Sequence, residues 1–395
     1  MLGQRIKQSR LAAGLTLDEC VARIGEFGFT ITKSALSQYE NEKRTPGALV
    51  LNSLADVLRV PRSWFLEESH GFPVTWYAYR KQARLGKKVR QEIESYAAHH
   101  GERVAKVWRL FPRVCNVDFP VRTQIHNVTE ADNVAADIRR KWNLGNDALE
   151  SVTHTLESNG AIILRYRRQE TRCFDGLSAL INNCWPLLLI NDTVAIDRLR
   201  FDLAHELGHI VMNTSRLENE KSEEYAVHRF ASSFLMPPEV LKGELGAKRS
   251  NLFLPELLYI KEKFGISVAA LLYAARVHGI VGEQACTALR IELARRGWRR
   301  REPDVFRGNE NPSRLRQLLV RAVAEDLMSL RNASELFPEL SGELRKEFGT
   351  SAVNLGNKSK AERNRVLRKA AELTAKEFER NPELVVEDVM DLHED

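Results

Sequence analysis

One stretch constrains this chain more than any other: Phe201-Asp202-Leu203-Ala204-His205-Glu206-Leu207-Gly208-His209-Ile210-Val211. Residues four apart on a helix lie on one face, one turn above the other. His205 and His209 can therefore close on a single metal ion, each through a ring nitrogen. Glu206 is offset around the same helix, within reach of a water in the open position of such a site. Metal-assisted peptide hydrolysis needs these parts: two neutral imidazoles, an open position, and a carboxylate to take a proton from water. Leu203, Leu207, Ile210 and Val211 face the core, and Asp197 is placed as the N-cap, so the helix is expected at about 197–212. Gly208 in its interior costs about 1 kcal/mol relative to Ala, which implies close packing beside the metal.

The bland alternative is an ordinary buried helix that matches a short motif by chance. Context favours the site. A second helix is expected from Ser222 through Phe230-Ala231 to Leu235, acidic at its start at Glu223-Glu224 and stopped by Pro237-Pro238. A third protein ligand from that helix would complete a His2Glu set.

These pieces resemble the ImmA/IrrE family of zinc metallopeptidases over residues 173–237. The resemblance rests on Phe174-Asp175-Gly176-Leu177-Ser178, the strand-like Pro186-Leu187-Leu188-Leu189-Ile190-Asn191, Asp197 to Val211, and Phe230-Ala231 to Pro237. It implies a zinc ion (Zn2+), Glu206 as the catalytic base, and His205, His209 and a glutamate shortly before the Phe-Ala pair as ligands. Glu224 fits that offset best and Glu223 is the runner-up. His228, four residues after Glu224, reads either as a support or alternative ligand at the metal or as a half-exposed helix histidine with no role.

Residues 1–68 read as five short helices. Thr16-Leu17-Asp18-Glu19 is a capping box opening the second, and Thr32 caps a third from Lys33 to Glu40 with Leu36 and Tyr39 inward. The stretch resembles the lambda-repressor-like (XRE) helix-turn-helix family, closely at Leu36-Ser37-Gln38-Tyr39-Glu40-Asn41 to Pro46. That resemblance implies binding to double-stranded DNA, with the third helix in the major groove. Lys33, Ser34, Ser37 and Gln38 would meet base edges, and Lys43 and Arg44 would meet phosphates, which position a protein without reading sequence. Two features depart from the family: a long turn at Gly25–Thr30, and Leu17 where many relatives place a phosphate-gripping glutamine. A helical bundle used only for protein contacts is the plain alternative.

Around these two segments the chain divides into a basic helical linker at 69–120, a peptidase-like domain at 121–280 and a helical C-terminal module at 281–395. The linker holds Arg80, Lys81, Arg84, Lys87, Lys88 and Arg90 beside Trp76, Tyr77 and Tyr79. It reads as a solvated connecting helix, or as an extension of a DNA-facing surface. In the peptidase-like part, helices are expected at Glu130–Trp142 and Val152–Asn159 and strands at Ala161–Tyr166 and 187–190. A helix is expected to end over Ile291–Trp298 in the Arg-rich run 295–301, and further helices to cover 312–331, about 338–348 and 358–380. The expected fold class is mainly α with a small sheet (α+β), with a zincin-like centre.

The formal net charge of +6 favours acidic partners, nucleic acid first. Five scattered cysteines without a Cys-x-x-Cys read as reduced thiols, Cys173 and Cys184 among them. No apolar run is long enough to span a membrane, and the N-terminus has no signal core, so a cytoplasmic protein is expected.

Two functions fit. One is a DNA-binding regulator with zinc-dependent endopeptidase activity that cuts a protein partner, such as a repressor, to switch transcription in a stress or mobile-element response. The other is a regulator or antitoxin of a toxin–antitoxin pair that does not cut. An intact Glu206 favours the first, because a purely structural metal site has no use for it. Whether the chain forms a homodimer is left open.

Overall fold

The computed structural model describes residues 2–67, 73–77, 86–112, 119–120, 122–167, 174–298, 302–303 and 306–348. The expected helix at 358–380, Cys115 and Cys173, Tyr79 and the basic residues Arg80, Lys81 and Arg84 lie outside them. The chain divides into two compact units, residues 1–317 and 318–395.

The first unit opens with α1 (Leu2–Ala12), α2 (Leu17–Glu26), α3 (Lys33–Glu40), α4 (Ala48–Leu58) and α5 (Arg62–Leu66). The capping box at α2 forms in full, with Thr16 Oγ1 accepting from the Glu19 amide and the Glu19 carboxylate accepting from the Thr16 amide. Thr32 caps α3 through the Ala35 amide. Ile6, Ile24, Leu36, Leu54 and Trp64 close a small core between these helices.

A long helix, α6 (Lys87–Trp108), follows the short strand β1 (Val74–Trp76). Its basic start is solvated, with Lys87 and Lys88 exposed, but its later part is not. Ile93, Ala97, Val104, Val107 and Trp108 are buried, and so are the charged Glu102 and Arg103. Pairing replaces solvation: Glu102 takes two hydrogen bonds, 2.5 and 2.7 Å, from the guanidinium of Arg5 on α1. Lys106 reaches over the Trp64 ring at 4.3 Å and pairs with Glu67. On its other side α6 lies on the sheet. A Cβ at Gly101 would sit 2.3 Å from Ile181 and 2.5 Å from Leu187. Tyr96 and Glu92 bond to Arg165 and Tyr166.

Next come β2 (Thr123–Gln124), α7 (Glu130–Lys141), α8 (Val152–Ser158), β3 (Ile162–Tyr166), β4 (Gly176–Ile181) and β5 (Trp185–Asn191). After these run α9 (Ile196–Val211), β6 (Met212–Asn213), α10 (Glu220–Leu235), α11 (Pro238–Leu245), α12 (Leu254–Phe264), α13 (Val268–Val277) and α14 (Glu283–Arg295). The sheet has the order β1-β4-β5-β3. β4 runs antiparallel to both β1 and β5, and β3 parallel to β5. Every residue of β5 is buried, as a central strand covered on both faces requires. Pro186 is tolerated there because pairing with β3 begins one residue later, at Leu187. Asn182 and Asn183, both at φ 55°, form the tight β4–β5 turn. β2 and β6 make a separate two-stranded parallel pair.

α9 crosses β4 and β5 and packs against α10. Its start is held by buried charge. Arg200 donates to Glu310 at 2.5 Å and to the carbonyls of Leu149 and Phe264. Lys261 donates to Asp197 at 2.8 Å. Asp197 is therefore not the N-cap: Ala195 holds that position, and Asp197 sits inside the first turn facing Lys261. The expected turn, Gly25–Thr30, is also placed differently, since α2 runs on to Glu26.

Beyond α14, α15 (Arg314–Ala324) crosses into the second unit, where α16 (Leu330–Leu336) and α17 (Ser341–Phe348) follow. Leu319, Ala322, Ala333, Phe337 and Leu344 are buried. The fold is α+β with a small mixed sheet. No helix among the described residues is long and apolar enough to cross a membrane.

Candidate metal centre

Local sequence forms both helices of the centre. In α9 the apolar residues Leu199, Leu203, Leu207, Ile210 and Val211 recur at helical spacing and are all buried. In α10 Asn219 caps the start through the Ser222 amide, and Ala226, Val227, Phe230, Ala231 and Phe234 face inward. What lets the two helices meet is Gly208. A Cβ there would lie 2.9 Å from Phe230 Cδ1 and 3.1 Å from Val227 Cγ1, closer than carbon atoms pack. The propensity lost at this glycine is thus offset by a close approach of the helices that carry His205, His209 and Glu224.

That approach brings His205, His209 and Glu224 together. Their donor atoms all lie within 4.8 Å of one another. His205 Nε2 is 3.2 Å from His209 Nε2. The Glu224 carboxylate is 3.7 Å from the first ring nitrogen and 3.8 Å from the second. Donors bound tetrahedrally at about 2.0–2.1 Å are about 3.4 Å apart. The three separations bracket that value, and two imidazoles with one carboxylate are a donor set that suits zinc. His205 is buried while Glu224 is half-exposed, so the cluster opens to solvent on the α10 side.

Glu223 points elsewhere and accepts a hydrogen bond from Thr214 Oγ1 at 3.2 Å. His228 is beside the cluster but outside it. Its ring stands edge-on to His205 with centroids 4.8 Å apart, and Phe201 flanks it at 5.6 Å. Glu206 is buried against the first residue of β4. A Cβ at Gly176 would lie 2.8 Å from Glu206 Cγ and 2.9 Å from Oε1. The glycine of the Phe174-Asp175-Gly176 segment thus makes room for this carboxylate. Cys184 is exposed at the far end of β4, with its thiol held above its usual range by desolvation, and takes no part.

Arg122 was not foreseen from the sequence. Its guanidinium donates to the carbonyls of Met212, at 2.8 Å, and His209, at 3.4 Å, and so fixes the C-terminal end of α9 beneath the second histidine. It also lies over the Tyr77 ring at 4.6 Å. Nothing local announces this residue, which lies 87 positions from His209.

On α3, Lys33, Ser34 and Gln38 are exposed and Ser37 is half-buried, while Leu36 and Tyr39 anchor the helix. Ser37 accepts from Asn41 Nδ2 through its carbonyl, at 2.8 Å. Lys33 pairs with Asp18 at 2.7 Å, with both side chains largely in solvent. Lys43 and Arg44 lie on the exposed loop after α3.

Compared with known protein families, residues 6–65 match the helix-turn-helix model and residues 164–276 match the model described as IrrE N-terminal-like domain, the Peptidase_M78 family. No curated protein and no solved structure is matched. The chain joins an XRE-type helix-turn-helix segment to an ImmA/IrrE-like peptidase-family domain.

Proposed function

We propose that this protein is a DNA-binding regulator whose central domain is a zinc-dependent endopeptidase acting on a protein partner, with a repressor as the class of substrate. The reading is carried by one observation, the convergence of His205, His209 and Glu224 with Glu206 one residue along the same helix. A zinc ion held by those three residues would supply Lewis-acid polarisation of a peptide carbonyl. Glu206, set against Gly176 at the start of β4, takes a proton from water and returns it to the leaving amine. Arg122 keeps the His209 end of α9 in place. The exposed face of α3 reads base edges through Lys33, Ser34, Ser37 and Gln38, and Lys43 and Arg44 hold phosphates. Lys33 exchanges Asp18 for DNA at little cost, since an exposed ion pair contributes about 0–1 kcal/mol.

The test is Glu206→Gln in the full chain. Metal content, fold and DNA affinity should stay as in wild type, because an amide is nearly isosteric with the carboxylate and Glu206 is not among the donors. Proteolysis should fall by about 10²–10⁴, the usual contribution of a general base. Profiling of protein N-termini in cells should show cleavage products present with wild type and absent with the variant. Identical profiles would remove the enzyme and leave a regulator or antitoxin that does not cut.

A further inference from the structure

β1 is the weakest element of the sheet and holds its most consequential edge. It is three residues long, Thr75 is exposed, and Val74 and Trp76 are only half-buried. β5, in the same sheet, is buried throughout. Short strands with little buried apolar area open locally at low cost. Beyond the three-residue ladder, the Asn182 amide donates to the Pro73 carbonyl at 2.8 Å and the Tyr77 amide to the Ser178 carbonyl at 3.0 Å. Thr75 Oγ1 adds a 3.3 Å contact to Asn183 at the turn.

Direction and register give this strand its meaning. Antiparallel to β4, it pairs Val74 with Ile181, Thr75 with Leu180 and Trp76 with Ala179, and so runs from the turn back towards the start of β4. Backbone groups alternate sides along a strand. On β4 the groups of Asn182 and Ser178 face β1, so the next groups on that side belong to Gly176, the residue in contact with Glu206. The forward end of β1 therefore stops two residues short of the candidate catalytic carboxylate. Tyr77, at that end, lies under Arg122, which in turn holds the His209 carbonyl.

An extended polypeptide adding to a sheet edge draws its affinity from main-chain bonds to that edge. Among the described residues, the sheet edge that leads to Gly176 is that of β4, and β1 is on it. We propose that β1 is an in-cis occupant of the polypeptide-docking edge of this site, and that it must leave β4 before an extended chain can align at Glu206. The proposal rests on the peptidase reading above. It adds that the occupant is tethered on one side to α5 of the helix-turn-helix segment and on the other to α6. The DNA-binding segment and the docking edge are thereby joined by one short strand.

The experiment locks and releases β1 in one polypeptide. Trp76 and Ala179 lie between the bonded pairs Tyr77–Ser178 and Pro73–Asn182, so they form a non-hydrogen-bonded pair with Cα atoms typically about 4.5 Å apart. That spacing accepts a disulfide. The zinc-loaded full chain carrying W76C and A179C, in a C184S background, is compared oxidised and after reduction with a phosphine. Two probes are used: acetohydroxamate, which needs only the metal, and a fluorescein-labelled Leu-Leu-Ala hydroxamate, which also needs the edge. Acetohydroxamate should bind both states equally. The tripeptide hydroxamate should bind the reduced state at least about tenfold more tightly, the factor by which a minority docking-competent state limits apparent affinity. Equal tripeptide affinity in the two states, or none in either while acetohydroxamate binds, overturns the proposal. So does a failure of the two thiols to cross-link, which would contradict the register. Acetohydroxamate binding to neither state instead overturns the metal reading, and this proposal with it.

Discussion

Replacing Gly208 by alanine sets two effects of known size against each other. Alanine is favoured over glycine inside a helix by about 1 kcal/mol. Against this, the new methyl would sit 2.9 Å from Phe230 Cδ1 and 3.1 Å from Val227 Cγ1. Carbon contacts relax only at about 3.5 Å, so α9 and α10 must part by on the order of 0.6 Å, or Phe230 must turn. Phe230 is fully buried and stacked on Phe234 with ring centroids 5.8 Å apart, so turning it disturbs a second aromatic. Overpacking of this kind costs about 1–3 kcal/mol, so the net change should be a loss of stability of about 0–2 kcal/mol. The larger consequence falls on the metal. His205 and His209 ride on one helix and Glu224 on the other, and metal sites tolerate displacements of about 0.2 Å. Zinc affinity, measured by competition with a chromophoric chelator, should fall about tenfold or more, the scale on which supporting residues tune a site. Thermal unfolding of the metal-free protein gives the stability arm. A Gly208→Ala protein that is more stable and binds zinc as tightly as wild type would refute the claim that this glycine sets the spacing of the ligands.

Other expectations follow from the same geometry. Glu224→Ala should lose zinc in elemental analysis while Glu223→Ala retains it, because Glu223 is turned to Thr214; the reverse result would exchange their roles. Gln38→Ala should relax sequence preference by about 1–3 kcal/mol if it makes a bidentate base contact. Lys43→Ala should weaken all sequences alike and reduce the salt slope by about one; a loss confined to one operator would contradict that assignment. His99, edge-on to Trp64 at 4.7 Å, is held well below its ordinary value by burial first and then by His100 and Arg103. It is neutral when folded, whereas the unfolded chain takes up a proton below about pH 6.5, so its stabilising contribution is present above that pH and lost as the pH falls. Denaturant unfolding between pH 7.5 and 5.5 should show stability falling with acid, by at most about 1.4 kcal/mol per pH unit for one proton, and His99→Leu should flatten that slope. An unchanged slope in the variant would acquit this residue.

What could be read from the sequence was what is local along the chain. The capping box at Thr16 and Glu19, the cap at Thr32 and the face shared by His205 and His209 depend on residues three or four apart. Glu224 was singled out only through the family resemblance, by its offset from Phe230-Ala231 on the helix that became α10. The pairing of β1 with β4 was not legible: it joins residues more than a hundred positions apart, and three residues carry no period. Arg122 fails for the same reason, since its partners are carbonyls, which have no residue identity. The basic start of α6 is solvated as read, with Lys87 and Lys88 exposed, but the burial of its later part was not legible: Glu102 is neutralised by Arg5, 97 positions away, and only the fold brings them together. Asp197 looked like a cap because its type suits one; Lys261, 64 residues away, claims it instead.

The burial of α6 has a bearing on how this chain is taken apart. Arg5 and Trp64 are covered by one side of α6, and Gly101 lets its other side rest on β4 and β5. The helix is a party wall, belonging to both neighbours. Cutting after residue 68 would bare an arginine and a tryptophan that the whole chain never shows to water. An affinity measured on that fragment would include whatever those groups then attract. A graft of this reading head onto another protein must take the wall with it, and with the wall something to cover the side that rests on the sheet.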